Sequence, residues 1–351
     1  MANNHSNLTS LFTDIADAIR SKTGGSDPII ADQFPEAIDG IESGGGSDDG
    51  FPIGDGNTHI WVDVEEGMNS YALILYMLKN TVVTIDWGDG TQTEDITFSD
   101  NSYTGGNVSA KHSYTEAGEY VITLSSTGLF GLSGSKSYGS TFFYPTGNSR
   151  MCRSAVKKIE TGAQLSYEDG YGISMCMICT LTDVVLNSSE TSIGGYMLYN
   201  CTSLTRAVVQ NGISTIGDYV FSGCSALKSV VLPDSVTSIG ICAFSNCKAL
   251  EEISLPYGVT MLGTLAFHEC WSLKHIAIPS GVLSIGDSTF KNCYSLHVVD
   301  FSNHTAIPTL ETTSAFGNNP TIMQIRVPAA LAGEWKAATN WSTYADYIVG
   351  V

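Results

Sequence analysis

Apolar positions along this chain follow three different rhythms. Between Leu8 and Ile19 they recur at three- and four-residue steps (Leu8, Leu11, Phe12, Ile15, Ala18, Ile19), which predicts an amphipathic helix ended by Thr23-Gly24-Gly25. A second short helix is expected after Asp32, with Phe34, Ala37, Ile38 and Ile41 on its apolar side. Two helices this short bury too little to fold securely alone. Residues 1–42 therefore read as an attachment or oligomerisation segment, with Leu8, Leu11, Phe12, Ile15 and Ile19 as its contact stripe. Residues 43–57 are rich in Gly, Ser and Asp without apolar periodicity, the pattern of a flexible linker.

The second rhythm is alternation. HIWVDV, YALILYM, TVVTIDW and EYVITLSS, all within 58–127, predict strands of an antiparallel sandwich. Asp86-Trp87-Gly88-Asp89-Gly90-Thr91 follows one of them as a tight turn, because Gly accepts positive φ and Asp caps local N–H groups. Asp86 and Asp89 are the residues to weigh as calcium ligands, but the spacing of a calcium loop is missing, so no metal is expected. VTIDWGDGT (Val83 to Thr91) and HSYTEAGEYVITL (His112 to Leu124) resemble the PKD-type immunoglobulin-like domain. That resemblance implies a non-catalytic spacer or ligand-contact module. A Gly/Ser/aromatic connection, 128–152, leads onward.

The third rhythm has a period of 23 residues. Cys201, Cys224, Cys247, Cys270 and Cys293 keep it, as do Phe221, Phe244, Phe267 and Phe290, and Ile216, Ile239, Leu262 and Ile285, each before a glycine. So many positions in one period predict a solenoid over 153–328, with degenerate turns from Val156 onward and a last copy in AFGNNPTIMQIRVP. There Asn319 takes the cysteine's place. One thiol per turn cannot supply zinc's converging ligand pairs. Rungs about 4.8 Å apart leave a disulfide geometrically conceivable, but a ladder of buried reduced thiols is the reading adopted. The consensus resembles the BspA-type leucine-rich repeats, in which Asn and Cys share this slot; the resemblance implies a surface protein that binds macromolecules and no catalysis. The ending, 329–351, resembles the helical caps that close such arrays in prophage-encoded and gut-bacterial proteins, with Trp335, Ala338, Trp341 and Tyr344 over the last turn. LFTDIADAIRSKTG (Leu11 to Gly24) resembles the N-terminal segment of phage tail-associated proteins of Gram-positive bacteria.

Register then predicts a face. Between the inward residues of each repeat strand, side chains point outward: Asp183 and Val185, Arg206 and Val208, Ser229 and Val231, Glu252 and Ser254, His275 and Ala277, Val298 and Asp300, Gln324 and Arg326. Of these Arg206, Ser229, Glu252, Ser254, His275, Asp300, Gln324 and Arg326 are the candidate binding residues. They vary while the core does not.

Composition narrows the partners. Of 351 residues 43% are hydrophobic and 15% charged, with a formal net charge of -19. That balance disfavours nucleic acid and anionic membrane surfaces. No apolar run is long enough to span a bilayer. No HExxH, GxSxG, phosphate-cradling glycine loop or paired-carboxylate motif occurs, and a His268–Cys270 dyad conflicts with the ladder, so neither catalysis nor a cofactor is expected. The start, MANNHSNLTSLF, has no secretory signal pattern. The resulting expectation is a multidomain, non-enzymatic bacteriophage virion protein on tail or capsid. Its N-terminal helical segment would contact other virion proteins or a second copy, and its repeats a host surface protein or glycan. The alternative is a secreted bacterial cell-surface adhesin of the BspA type.

Overall fold

The computed structural model describes residues 57–64, 70–77, 81–97, 106–127, 130–132, 143–145, 156–161, 178, 180–187, 191–320 and 323–351. The chain divides into two units, 1–55 and 56–351. The stripe of Leu8, Leu11, Phe12, Ile15 and Ile19 lies outside the described residues, as does nearly all of the linker.

The alternating stretches form strands: β1 (Thr58–Val64), β2 (Ser70–Met77), β3 (Val82–Asp86), β4 (Glu94–Thr97), β5 (Gly106–Ser113) and β6 (Gly118–Ser126). β4 and β5 were not among the predicted strands. β4, Glu-Asp-Ile-Thr, buries no side chain and lies at a sheet edge, where charge discourages further pairing. β2 pairs antiparallel with β5, and also with the short strands β7 (Phe130–Leu132) and β8 (Phe143–Pro145) from the predicted connection. Ile60, Val62, Val64, Val83, Ile85, Ile122 and Leu124 meet Tyr71, Leu73, Leu75 and Met77 in the core.

The other sheet runs β4-β3-β6-β1 and does not stop there. β1 also pairs antiparallel with β9 (Val156–Glu160), a degenerate repeat strand, with Ile60 opposite Ile159. β9 pairs parallel with β10 (Asp183–Leu186), and the sheet goes on through Arg206–Val209 and Ser229–Val231. One sheet thus runs from the alternating region into the solenoid.

The first repeats add their strands to this main sheet as far as Ser229–Val231, and the later strands His275–Ala277, Val298–Asp300 and Gln324–Val327 form a parallel sheet of their own. On the narrower side the two-residue strands Ser192–Ile193, Thr215–Ile216, Ser238–Ile239 and Met261–Leu262 pair in parallel. The Ile-Gly signature has a steric cause. A Cβ at Gly263 would come within 2.4 Å of the Gly240 carbonyl carbon, so the backbones pack against each other with no room for a side chain. The chain then turns through two left-handed positions. One column holds Tyr196, Tyr219, Cys242, Leu265 and Ser288; the other, directly before the ladder cysteine, holds Asn200, Gly223, Asn246, Glu269, Asn292 and, in the last copy, Asn318. Asn and Gly tolerate this conformation best, which accounts for their dominance of the second column.

Within the core, Phe221, Phe244, Phe267, Phe290 and Phe316 stack with centroids 5.1–5.6 Å apart and planes within 9° of parallel. Full burial of such a ring contributes about 1.5–3 kcal/mol. The open end is closed by a 3-10 turn (Ala329–Leu331), a short α-helix (Ala332–Ala337) and a second 3-10 segment (Trp341–Tyr347). Trp335, Trp341 and Tyr344 are buried and Ala338 partly so, with their rings against Phe301 and Phe316. Trp341 Nε1–H donates to the Pro308 carbonyl at 2.8 Å. A final strand, Ile348–Gly350, pairs parallel with Gln324–Val327; the helical cap expected from sequence ends in a strand.

Candidate binding face

Strand register brings the predicted outward residues into two columns. Asp183 pairs with Arg206 and Arg206 with Ser229; Glu252 bridges to His275, His275 pairs with Val298, and Val298 with Gln324. Beside them Val208 pairs with Val231, Ala277 with Asp300, and Asp300 with Arg326. Ser229, Glu252, Ser254, His275 and Gln324 are exposed; Arg206, Asp300 and Arg326 are half-buried. Val185 departs from the expectation. Its register puts it in the second column, yet it is buried, as is Glu160 paired to it, so the face begins one rung later.

Charges on the face are largely satisfied locally. Arg206 Nε–H donates to Asp183 Oδ1 at 2.9 Å, and Lys274 is hydrogen-bonded to Glu251. Asp300 Oδ1 accepts the Ser302 N–H at 2.8 Å. What remains is a shallow mixed surface of hydroxyl, carboxylate, guanidinium, imidazole, amide and aliphatic groups.

The five ladder cysteines are all buried. The Sγ–H groups of Cys224, Cys247, Cys270 and Cys293 donate to the carbonyls of Leu198, Phe221, Phe244 and Phe267 at 3.1–3.2 Å. Burial pushes the Cys224 and Cys293 thiols up to about 12 and those of Cys247 and Cys270 well above the ordinary range. A thiol so held is no nucleophile at neutral pH, and the His268–Cys270 dyad falls with it. Asn319 plays the role differently: its Oδ1 accepts the Cys293 N–H at 2.9 Å, whereas the thiols donate to carbonyls.

Asp86 and Asp89 are occupied by the turn. Asp86 Oδ1 accepts the Gly88 N–H, and Asp89 Oδ1 accepts both the N–H and O–H of Thr91. Asp89 Oδ2 lies 2.7 Å from His112 Nε2, and the His112 ring stacks on Trp87 at 4.7 Å. Burial raises the Asp89 pKa, but the bonds from Thr91 and His112 outweigh it and hold the carboxyl below its usual range. The two quoted motifs are therefore one interlocked unit. Among the described residues, no three His, Cys, Asp or Glu side chains are grouped to hold a metal ion.

One feature on the repeats was missed from sequence. Trp271 and Tyr294 follow their ladder cysteines, in a column where Thr202, Ser225 and Lys248 stand on the preceding rungs. Both rings are exposed, and Lys248 Nζ sits 3.9 Å from the Trp271 ring centroid. The signal was a polar column turning aromatic on two successive rungs.

Parallel short strands, a 23-residue turn, a buried Cys/Asn ladder and aromatic capping define a leucine-rich-repeat solenoid. The family model for the BspA type Leucine rich repeat region matches residues 152–233, 171–297 and 214–333 in six copies. Those spans cover more than half of the chain, which belongs to this family. No curated protein matches it. Among solved structures, a leucine-rich repeat protein from Bacteroides ovatus is 24% identical over 52% of this chain and 53% of its own, with a TM-score of 0.37. The leucine rich repeat protein of T. pallidum is 22% identical over 54% of this chain and 87% of its own, TM-score 0.34. A leucine rich cell surface protein from Faecalibacterium prausnitzii is 22% identical over 49% of this chain and 71% of its own, TM-score 0.23. This chain thus covers about half the length of the first of these.

Proposed function

We propose that this chain is a non-enzymatic bacterial cell-surface protein that binds macromolecules of its surroundings through the outward columns of its repeat sheet. The observation that carries the reading is the contrast between those columns and the core beneath them. Phe, Cys and Leu repeat almost without change, while the first outward column carries a different residue on every rung and the second passes from Val185, Val208 and Val231 to Ser254, Ala277, Asp300 and Arg326. Membership of the BspA-type repeats supports the reading, because that resemblance implies surface binding. It fits a bacterial surface protein better than the virion protein expected from sequence, and nothing on the repeats favours a virion. The antiparallel sheets ahead of the repeats would act as the PKD-like spacer, and residues 1–42 as the attachment segment.

The experiment is location. Intact producing bacteria and purified phage particles from the same strain are probed with antibody against the repeats and with external protease. The reading predicts labelling and cleavage on intact cells. Signal confined to phage particles or to the cytosol after lysis would contradict it.

A further inference from the structure

All five tryptophans of the chain are described, and Trp61, Trp87, Trp335 and Trp341 are buried. Trp271 is the exception at 40% exposure, and Tyr294 on the next rung is 53% exposed. Their ring centroids are 5.9 Å apart with planes tilted by 46°. Backbone bonds hold the rungs in place: the Ser272 N–H donates to the Lys248 carbonyl at 3.2 Å and the Ser295 N–H to the Trp271 carbonyl at 3.1 Å. Two large rings are thus presented to water by a rigid ladder, an arrangement in which little freedom is left to lose on binding. Exposed apolar rings are unfavourable in water, and the polar residues of the same column on earlier rungs show that the fold does not require them.

The surroundings select the occupant. Lys274 is paired with Glu251, which leaves the single ammonium of Lys248, held over the Trp271 ring, as the one charge at the rings, too little to hold a polyanion. The chain's net charge of -19 repels polyanions. An extended peptide added to a sheet needs an edge with unpaired backbone groups, whereas these rungs bond to one another inside the array. A ligand with flat apolar faces, hydroxyls at its rim and no net charge meets all three conditions. We propose that Trp271 and Tyr294, flanked by Lys248, form a stacking site for an uncharged polysaccharide. Ring C–H faces pack on the aromatic rings, while sugar hydroxyls accept from Lys248 Nζ. The proposal rests on the surface-binding reading above and names its ligand class.

The test titrates the full chain with soluble β-glucan, arabinoxylan, mannan and galactan. It reads protection of tryptophan fluorescence from acrylamide and retardation in polysaccharide-containing gels. Because the other four indoles are buried, quenching reports on Trp271. At least one polysaccharide is expected to protect it. Trp271→Ala should weaken that binding at least about tenfold, the loss of a central aromatic anchor, with its circular dichroism unchanged, while Trp271→Phe retains most of it. Failure of all four polysaccharides, or equal binding by Trp271→Ala, would overturn the proposal. Parent and Trp271→Ala are also compared on mucus-coated surfaces. Equal binding by the two there overturns the stacking site but leaves the surface reading standing. Parent binding that survives glycan removal and is lost on protease treatment assigns the occupant to protein and overturns the proposal. No binding by the parent to surfaces or polysaccharides removes both.

Discussion

Cys247 shows what a ladder position demands. Its thiol is fully buried and gives its hydrogen to the Phe221 carbonyl at 3.2 Å. Cys247→Ala leaves that carbonyl with only the Cys224 N–H, at 3.1 Å, and opens a small void, and should cost about 1–3 kcal/mol in urea unfolding. The ladder thiols should react with a thiol reagent only as fast as the native state opens, since burial keeps them protonated. His304 makes a second residue-scale prediction. It is buried against Phe301 and Trp335, Nδ1 meets no partner among the described residues, and burial lowers its pKa. With the folded pKa depressed, the unfolded chain takes up the proton first. Stability is therefore full above about pH 6.5 and falls as pH drops from there toward the folded pKa. His304→Phe should flatten that part of the pH–stability curve; an unchanged slope would assign the loss to other groups.

At the scale of one repeat, the left-handed position before each ladder cysteine sets the turn. Glu269 occupies it with φ 59° where Asn or Gly stands on the other rungs. Glu269→Asn should raise stability by about 0.5–1 kcal/mol, read as a higher Tm, because Asn carries less strain there. Gly263→Ala, which drives a Cβ into the Gly240 backbone, should lower it well beyond that gain. The repeat was the most legible part of the sequence, because every packing constraint recurs 23 residues on and one reading is checked by four others. The outward columns followed from the same register. β5 was not legible: Gly-Asn-Val-Ser-Ala-Lys-His-Ser offers little alternation, and its pairing with β2 is set by tertiary contact. The Trp271–Tyr294 pair escaped notice because it lies on the turn into the strand and not on the strand itself.

At the scale of the whole described unit, the shared sheet matters most. The sequence suggested two bodies joined by a connection, but β1 pairs with β9, so the antiparallel and parallel parts share one hydrogen-bonded sheet. No local pattern announces which strand β1 will choose as its second neighbour. Ile159, fully buried opposite Ile60, sits at that join. Ile159→Ala should cost about 2–5 kcal/mol and shift the unfolding of both parts together, as read by hydrogen exchange at β6 and at Arg206–Val209. A shift confined to one part would show that the join carries little cooperativity.

The central claim is that the outward columns bind. It is tested most directly by comparing the full chain with a variant carrying His275→Ala, Asp300→Ala, Gln324→Ala and Arg326→Ala. A control carries Ser192→Ala and Thr309→Ala, exposed residues of the short strands Ser192–Ile193 and Thr309–Leu310. The measurement is equilibrium binding of each purified protein to mucus-coated surfaces. The account predicts that the first variant loses affinity at least about tenfold while the control binds as the parent does. Equal binding by all three proteins, or loss in the control alone, would contradict it.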